Sequence, residues 1–153
     1  MSVRGTVLVA ALTCAVPILG AAPGHSAPVS GANGGCARGG VMTGRMIPGT
    51  GSAGQSIQRE VTLSDCAGPL LPGIRGGVFA VSIPWNVTTA PTSARLSWSD
   101  GSVSTATGYG NGVWLITAGP ASGHAIQLDV ADTWNGWYLS SADVVVADAR
   151  FVS

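Results

Sequence analysis

The chain has 153 residues, carries no lysine, and has a formal net charge of zero from seven arginines and seven acidic residues. This length accommodates one domain of ordinary size, and charged residues make up only 9% of the sequence, compared with about 25% in an average soluble domain. No basic stripe is available to neutralise phosphates, so the composition argues against nucleic-acid binding and against attachment to an anionic membrane surface.

Residues 1–27 have the pattern of a secretory signal peptide. Arg4 supplies the positive charge, an apolar run follows over 6–19, and the small residues of 20–27 form the region where cleavage is expected. An uncleaved membrane anchor is the alternative, because the apolar run approaches the length that spans a bilayer. Pro17 and the small residues that follow it favour cleavage. We therefore expect a secreted, extracellular protein with no membrane span after signal cleavage.

Residues 28–35 are predicted to be a flexible leader, and residues 36–153 a single domain. Cys36 and Cys66 are the cysteines that remain after signal cleavage, and an exported chain meets an oxidising environment. We predict a disulfide between them, which closes a loop of about 30 residues and stabilises the fold by roughly 3–4 kcal/mol. The mature chain lacks the four Cys or His ligands of a structural zinc site, so neither a metal ion nor another cofactor is expected.

Short segments of alternating hydrophobicity follow one another along the domain. Turns rich in Gly, Pro and Asn separate predicted strands at 37–47, 55–64, 76–83, 93–109 (a hairpin), 113–118, 124–130 and 143–152. In the second of these, Ile57, Val61 and Leu63 share one face with Arg59. The run 113–118 is apolar on both faces and is predicted to be a central strand that is covered on both sides.

The hairpin around Asp100-Gly101 is the clearest of these elements. This dipeptide is favoured in a two-residue type I′ turn, because both central residues of that turn need positive φ. The turn predicts Trp98 opposite Val103, so that Leu96, Trp98 and Val103 share the inner face and serines occupy the other. The alternation of apolar residues and the alternation of serines independently predict this register.

Seven to eight short strands and no sustained helical period after the signal peptide predict an all-β domain. The first choice is an antiparallel β-sandwich of the immunoglobulin-like kind, and a small β-barrel is the alternative. A domain of this size buries about two-thirds of its unfolded surface, which is enough for an independent core.

The signal peptide, the two cysteines and the hairpin Trp-Ser-Asp-Gly-Ser-Val-Ser-Thr (98–105) together resemble small exported β-sandwich proteins of high-GC Gram-positive (actinobacterial) bacteria. The exclusive use of arginine over lysine fits such a source. The resemblance covers roughly Cys36 to Trp137. It implies an exported compartment and a β-sandwich fold, and it carries over no active site.

Three motifs have catalytic or metal-binding interpretations that the sequence does not favour. The segment 49–54 matches G-x-G-x-x-G but leads into a strand rather than a helix, so it is interpreted as a glycine loop. His124 with a serine and Asp129 or Asp132 could form a triad, but no Gly-x-Ser-x-Gly elbow accompanies it. Asp129, Asp132 and the nearby Asn135 supply too few oxygens for a calcium site. We expect no catalytic residue, with a secreted hydrolase as the least favoured alternative.

Large aromatic side chains are the best candidates for ligand contact. Trp98 and Trp114 lie in predicted strands and are expected in the core. The candidate ligand-binding residues are Trp85, Trp134, Trp137 and Tyr138. If Asn135-Gly136 forms a type I′ turn, Trp134 and Trp137 stand opposite each other. A flat ring pair of this kind suits stacking on a sugar ring or a partner surface, and the alternative is that it plugs one end of the domain.

These features predict a secreted, non-catalytic binding or cell-surface-associated module. Binding of a carbohydrate or cell-envelope component through the aromatic residues is the most specific hypothesis. A structural role at the cell surface, or binding to another exported protein, is the alternative.

Overall fold

A computed structural model describes residues 33–50, 54–85, 91–108, 112–131 and 140–152, which form nine β-strands and contain no helix. The strands are β1 (Gly35–Arg38), β2 (Val41–Ile47), β3 (Ser56–Ala67), β4 (Gly76–Pro84), β5 (Thr92–Trp98), β6 (Val103–Gly108), β7 (Val113–Ala118), β8 (Ala125–Val130) and β9 (Val144–Val152). Every pairing among them is antiparallel.

The sheet closes on itself as a barrel. Each strand from β3 to β9 pairs with the next, and β9 pairs with β1 and β2, which both pair with β3. Because β1 and β2 share these two neighbours and are separated only by Gly39-Gly40, they occupy one position in the ring. The all-β, antiparallel prediction is confirmed. Of the two predicted architectures the protein has the small barrel and not the immunoglobulin-like sandwich, because the last strand returns to the first instead of ending a separate sheet.

The strand directions give the barrel two ends, which we name for use below. The disulfide end carries the connections 68–75, 99–102 and 119–124, and the far end is where the connections 48–55, 85–91, 109–112 and 131–143 join the strands. Two residues of the connection 68–75, Leu71 and Ile74, are buried in the core and 2% exposed. The two ends present different sets of loops.

The barrel interior holds the hydrophobic core. β3 alternates between buried and exposed positions over most of its length, and the inward side chains include Ile57, Val61 and Leu63, as predicted. An eight-position barrel encloses an interior that side chains can fill. The rings of Phe79 and Trp114 meet edge to face there, with centroids 5.2 Å apart. Trp114 is fully buried and Trp98 is 4% exposed, which confirms their assignment to the core.

The predicted disulfide is confirmed. Cys36 of β1 lies opposite Cys66 of β3 in the ladder, and their sulfur atoms are bonded at 2.03 Å. Asp65 has a φ of 53° and interrupts the alternation, so that Leu63 and Cys66 are both buried although two exposed residues separate them. The disulfide thus joins adjacent strands beside the seam where the barrel closes.

The register predicted for the 93–109 hairpin is wrong by one residue. Three residues, 99–101, form the loop: the N–H of Gly101 donates to the carbonyl of Trp98 at 3.0 Å, and the N–H of Trp98 donates to the carbonyl of Ser102 at 2.8 Å. Gly101 has a φ of 85°, as the last residue of a three-residue loop requires. Val103 therefore lies opposite Ser97 rather than Trp98.

The shifted register brings a serine into the core beneath Trp98. Ser104 is fully buried, accepts a hydrogen bond from the indole Nε1 of Trp98 at 2.8 Å, and donates to the carbonyl of Pro120 at 2.8 Å. A buried indole N–H needs such a partner. Ser104 thereby ties the 119–124 turn to the hairpin at the disulfide end.

The prediction that strand 113–118 is covered on both faces is wrong. Trp114 and Ile116 point into the barrel, but Leu115 is 51% exposed and Thr117 is exposed. A barrel strand has one face toward the core and one toward solvent, so an apolar run in sequence here does not mark a doubly buried strand.

Replacing both Cys36 and Cys66 with serine should lower the free energy of unfolding by about 3–4 kcal/mol, because the unfolded chain regains the entropy of an open loop. Urea denaturation of the oxidised protein and the double variant measures the difference. The reduced wild-type protein serves as the control and should match the variant. Equal stability of the variant and the oxidised protein would contradict the expectation.

Replacing Ser102 with alanine should raise the pKa of Asp100 toward its ordinary value. The hydroxyl and the N–H of Ser102 both donate to Asp100 Oδ1, at 2.6 and 2.9 Å, and hold the pKa of this carboxyl below that value, with the hydroxyl as the larger cause. A depressed folded pKa means that the carboxylate stabilises the hairpin above the unfolded pKa and that this contribution is lost as the pH falls through the folded pKa. An NMR titration of the Asp100 carboxyl in both proteins measures the shift, and an unchanged pKa would count against it.

Candidate functional site

The outer face of β3–β6 carries a shallow depression of about 350 Å³. Its polar lining consists of Gln58, Ser82, Ser93, Arg95 and Thr105, and its apolar lining consists of Ala80, Val81 and Ala94. The five polar residues are exposed. The volume falls in the lower part of the range of small-molecule sites, which is about 300–1,000 Å³.

The register of four strands explains where the depression lies. Glu60 lies opposite Ala80, Ala80 opposite Arg95, and Arg95 opposite Thr105, so these outward residues form one cross-strand row. Ala80 has the smallest side chain of the row and stands between two long ones. Because neighbouring strands are about 4.8 Å apart, the short side chain leaves a gap about 10 Å wide between the β3 and β5 positions.

The depression offers mostly neutral hydrogen-bonding groups. An amide from Gln58 and hydroxyls from Ser82, Ser93 and Thr105 can each donate and accept. Arg95 supplies the one cationic side chain of the lining, and none of the lining residues is acidic. These groups suit a ligand rich in hydroxyl groups.

A hydrogen bond within β5 positions the guanidinium of Arg95. Its Nε donates to Ser97 Oγ at 3.3 Å, which leaves the two terminal nitrogens for other partners. Within the described part of the chain no acidic side chain pairs with Arg95, whereas Arg38 pairs with Asp65 at 3.0 Å. A similar pair joins Arg150 to Asp129 at 3.4 Å.

Trp85 lies beyond the depression on the same strand. It directly follows β4 and is half-buried, and its backbone N–H donates to the carbonyl of Gln55 at 2.7 Å. It is three positions along the chain from Ser82, which corresponds to about 10 Å of strand. Of the predicted aromatic residues, Trp85 is not part of the lining of the depression, and Trp134, Trp137 and Tyr138 lie outside the described residues.

A second polar position lies inside the barrel near the far end. Arg59 is fully buried among the inward residues of β3, which confirms its predicted face. Its Nη1 donates to the carbonyl of Ala142 at 3.1 Å, and its Nη2 donates to the carbonyl of Ser140. Burial lowers the pKa of Arg59, and the carboxylate of Asp143 opposes this effect. The guanidinium holds the segment before β9 against the barrel, so its role is in the fold.

Gly44 completes this arrangement on the neighbouring strand. It lies opposite Arg59, and its N–H donates to Asp143 Oδ1 at 2.9 Å. A Cβ at this position would lie 2.6 Å from the carbonyl oxygen of Ser141. Only glycine lets the segment approach β2 this closely.

No protein-family model, curated protein or solved structure matches this chain.

The described members of the hypothetical triad do not come together. His124 precedes β8 at the disulfide end, and Asp129 is near the other end of that strand, about 17 Å away for five residues of extended chain. Asp129 also pairs with Arg150. Asp132 and Asn135 lie outside the described residues. Among the residues that are described, no group of three His, Cys, Asp or Glu side chains could hold a metal ion.

The described ranges contain no helix that is long and apolar enough to cross a membrane.

Sequence reasoning did not identify the depression. Its polar lining residues are ordinary outward positions of four strands. A usable signal was present in the row Glu60, Ala80 and Arg95, in which a small residue separates two charged ones. Recognising that row needs the registers of β3, β4 and β5, which the sequence alone does not supply.

Replacing Arg59 with alanine should lower the free energy of unfolding by about 3 kcal/mol, because two carbonyls lose a charged donor and a buried cavity forms. The matched control is Arg45→Ala, which removes an exposed arginine from the facing strand and should change stability by no more than about 0.5 kcal/mol. Chemical denaturation of both variants measures the difference. Equal effects of the two substitutions would show that Arg59 does not hold the segment.

Proposed function

We propose that this protein is an exported, non-catalytic module that binds a saccharide of the cell envelope or its surroundings in the depression on β3–β6. The observation that carries the proposal is the depression itself, a concave surface of about 350 Å³ that is lined by amide, hydroxyl and guanidinium groups over an apolar floor. Sugars present the complementary combination of hydroxyl groups around an apolar ring face.

The polar side chains around the apolar floor give a hydroxyl-rich ligand partners that an apolar ligand lacks. Around Ala80 and the edges of Val81 and Ala94, the lining residues are exposed and polar. An apolar ligand would leave these donors and acceptors unpaired, at a cost of about 1–3 kcal/mol for each group that loses water. A hydroxyl-rich ligand replaces the lost water with hydrogen bonds of the same kind.

Export is supported by the disulfide and by the composition of the first 27 residues. The bond between Cys36 and Cys66 is of a kind that persists in oxidising compartments and is rare in the cytosol. A module that works outside the cell encounters polysaccharides as abundant polar surfaces, whereas its composition does not suit nucleic acid.

Trp85 is a further candidate for ligand contact. It follows β4 three positions after Ser82, and an indole offers a stacking surface for a sugar ring. The ring pair predicted for Trp134 and Trp137 is a separate candidate for such stacking. Binding that is weakened by Trp85→Ala and Trp137→Ala would support their participation.

Filling the depression should weaken saccharide binding. The test screens the mature, oxidised protein on a glycan array and measures affinities by isothermal titration calorimetry. Ala80→Phe should weaken saccharide binding by at least about tenfold, that is, by 1.4 kcal/mol or more, because the ring occupies the gap between the neighbouring long side chains. The control is Ala147→Phe, which places the same ring on an exposed position of β9 and should leave binding unchanged.

Near-ultraviolet circular dichroism establishes that both variants keep the wild-type fold. The proposal fails if the wild-type protein binds no saccharide on the array. It also fails if Ala80→Phe binds the saccharide as tightly as Ala147→Phe. In that case, recovery of a protein partner from culture supernatant by both variants would favour a protein-binding role.

A further inference from the structure

Arg95 sets the charge of the depression. It contributes the single cationic side chain of the lining, and Gln58, Ser82, Ser93 and Thr105 are neutral. An exposed arginine in a site that otherwise lacks charge gives the ligand one point at which a negative group gains energy. A neutral sugar would leave that guanidinium to water.

The geometry of Arg95 favours a planar anion. Its Nε donates to Ser97 Oγ, so the side chain is held along β5 and the two terminal nitrogens remain for a ligand. A guanidinium presents these N–H groups as a fixed fork that matches both oxygens of a carboxylate. Holding the fork in place lowers the entropy lost when the ligand binds.

The closest acidic side chain of the same row does not cancel this charge. Glu60 is two strands from Arg95, with Ala80 between them, which corresponds to about 10 Å between strand positions. No ion pair joins Glu60 to Arg95 in the described part of the chain. Glu60 is also not part of the lining, so the guanidinium of Arg95 is the charged group that a ligand in the depression meets.

We propose that the depression selects acidic saccharides, sugars that carry a carboxylate such as a hexuronic acid, by pairing the sugar carboxylate with the guanidinium of Arg95. The inference rests on the proposed function and specifies the ligand class of the same site. The serine and threonine hydroxyls and the Gln58 amide then hydrogen-bond the hydroxyl groups of the sugar, and the carboxylate fixes its orientation.

The test compares matched saccharides that differ only at the carboxyl group. Oligosaccharides of galacturonic acid and of glucuronic acid are titrated beside their carboxyl-reduced counterparts, using the mature, oxidised protein at physiological ionic strength. The acidic member of each pair that binds should do so about fivefold more tightly, as expected for an ion pair at an exposed site. Raising the salt concentration should reduce this preference, because the ion pair is exposed to solvent.

Variants of Arg95 assign the preference to one side chain. Arg95→Ala should lower the affinity for the acidic saccharide to that of the reduced one, and Arg95→Lys should restore only part of it, because an ammonium lacks the fork. Arg75→Ala removes the same charge from an exposed position at the disulfide end and should leave both affinities unchanged.

The outcomes separate this inference from the proposed function. Equal binding of acidic and reduced saccharides, weakened by Ala80→Phe but unaffected by Arg95→Ala, overturns the selection of acids and leaves saccharide binding standing. An acid preference that persists in Arg95→Ala also overturns the inference. Absence of binding to every saccharide overturns both.

Discussion

The barrel depends on the pairing of β1 and β2 with two strands at once. These segments hydrogen-bond to β3 on one side and to β9 on the other, and this double pairing converts a meander of strands into a closed ring. The ladders approach closely here: a Cβ on Gly35 would lie 2.2 Å from the carbonyl oxygen of Ala149. The closure thus needs glycine where three backbones meet.

Two further interactions reinforce this seam at opposite ends. At the disulfide end Cys36 is bonded to Cys66, which fixes β1 to β3. Near the far end Arg59 and Gly44 bind the segment that leads into β9, through the carbonyl of Ala142 and the carboxylate of Asp143. Arg59 of β3 therefore stabilises a part of the seam in which few residues of β2 and β9 pair with each other.

Most strands, the inward face of β3 and the disulfide could be predicted from the sequence, because alternation and turn residues are local properties. The choice between barrel and sandwich could not, since a strand with one buried face reads the same in both. Asp100-Gly101 is equally compatible with a two-residue and a three-residue loop. The choice between them depends on packing, which places Ser104 beneath the indole of Trp98. The depression depends on three registers at once, so its residues carried no local signal.

The closed ring also has a consequence for the order in which the chain can fold. Gly35 pairs with Arg150, from which almost the whole domain separates it in sequence. Cys36 pairs with Cys66 of β3, which is much closer in sequence. Pairings between such distant segments are slow to form, because their loop-closure entropy is lost before the contacts compensate for it. Oxidation of the two cysteines can therefore precede barrel closure, and the covalent bond then keeps β1 beside β3 while the rest of the ring assembles.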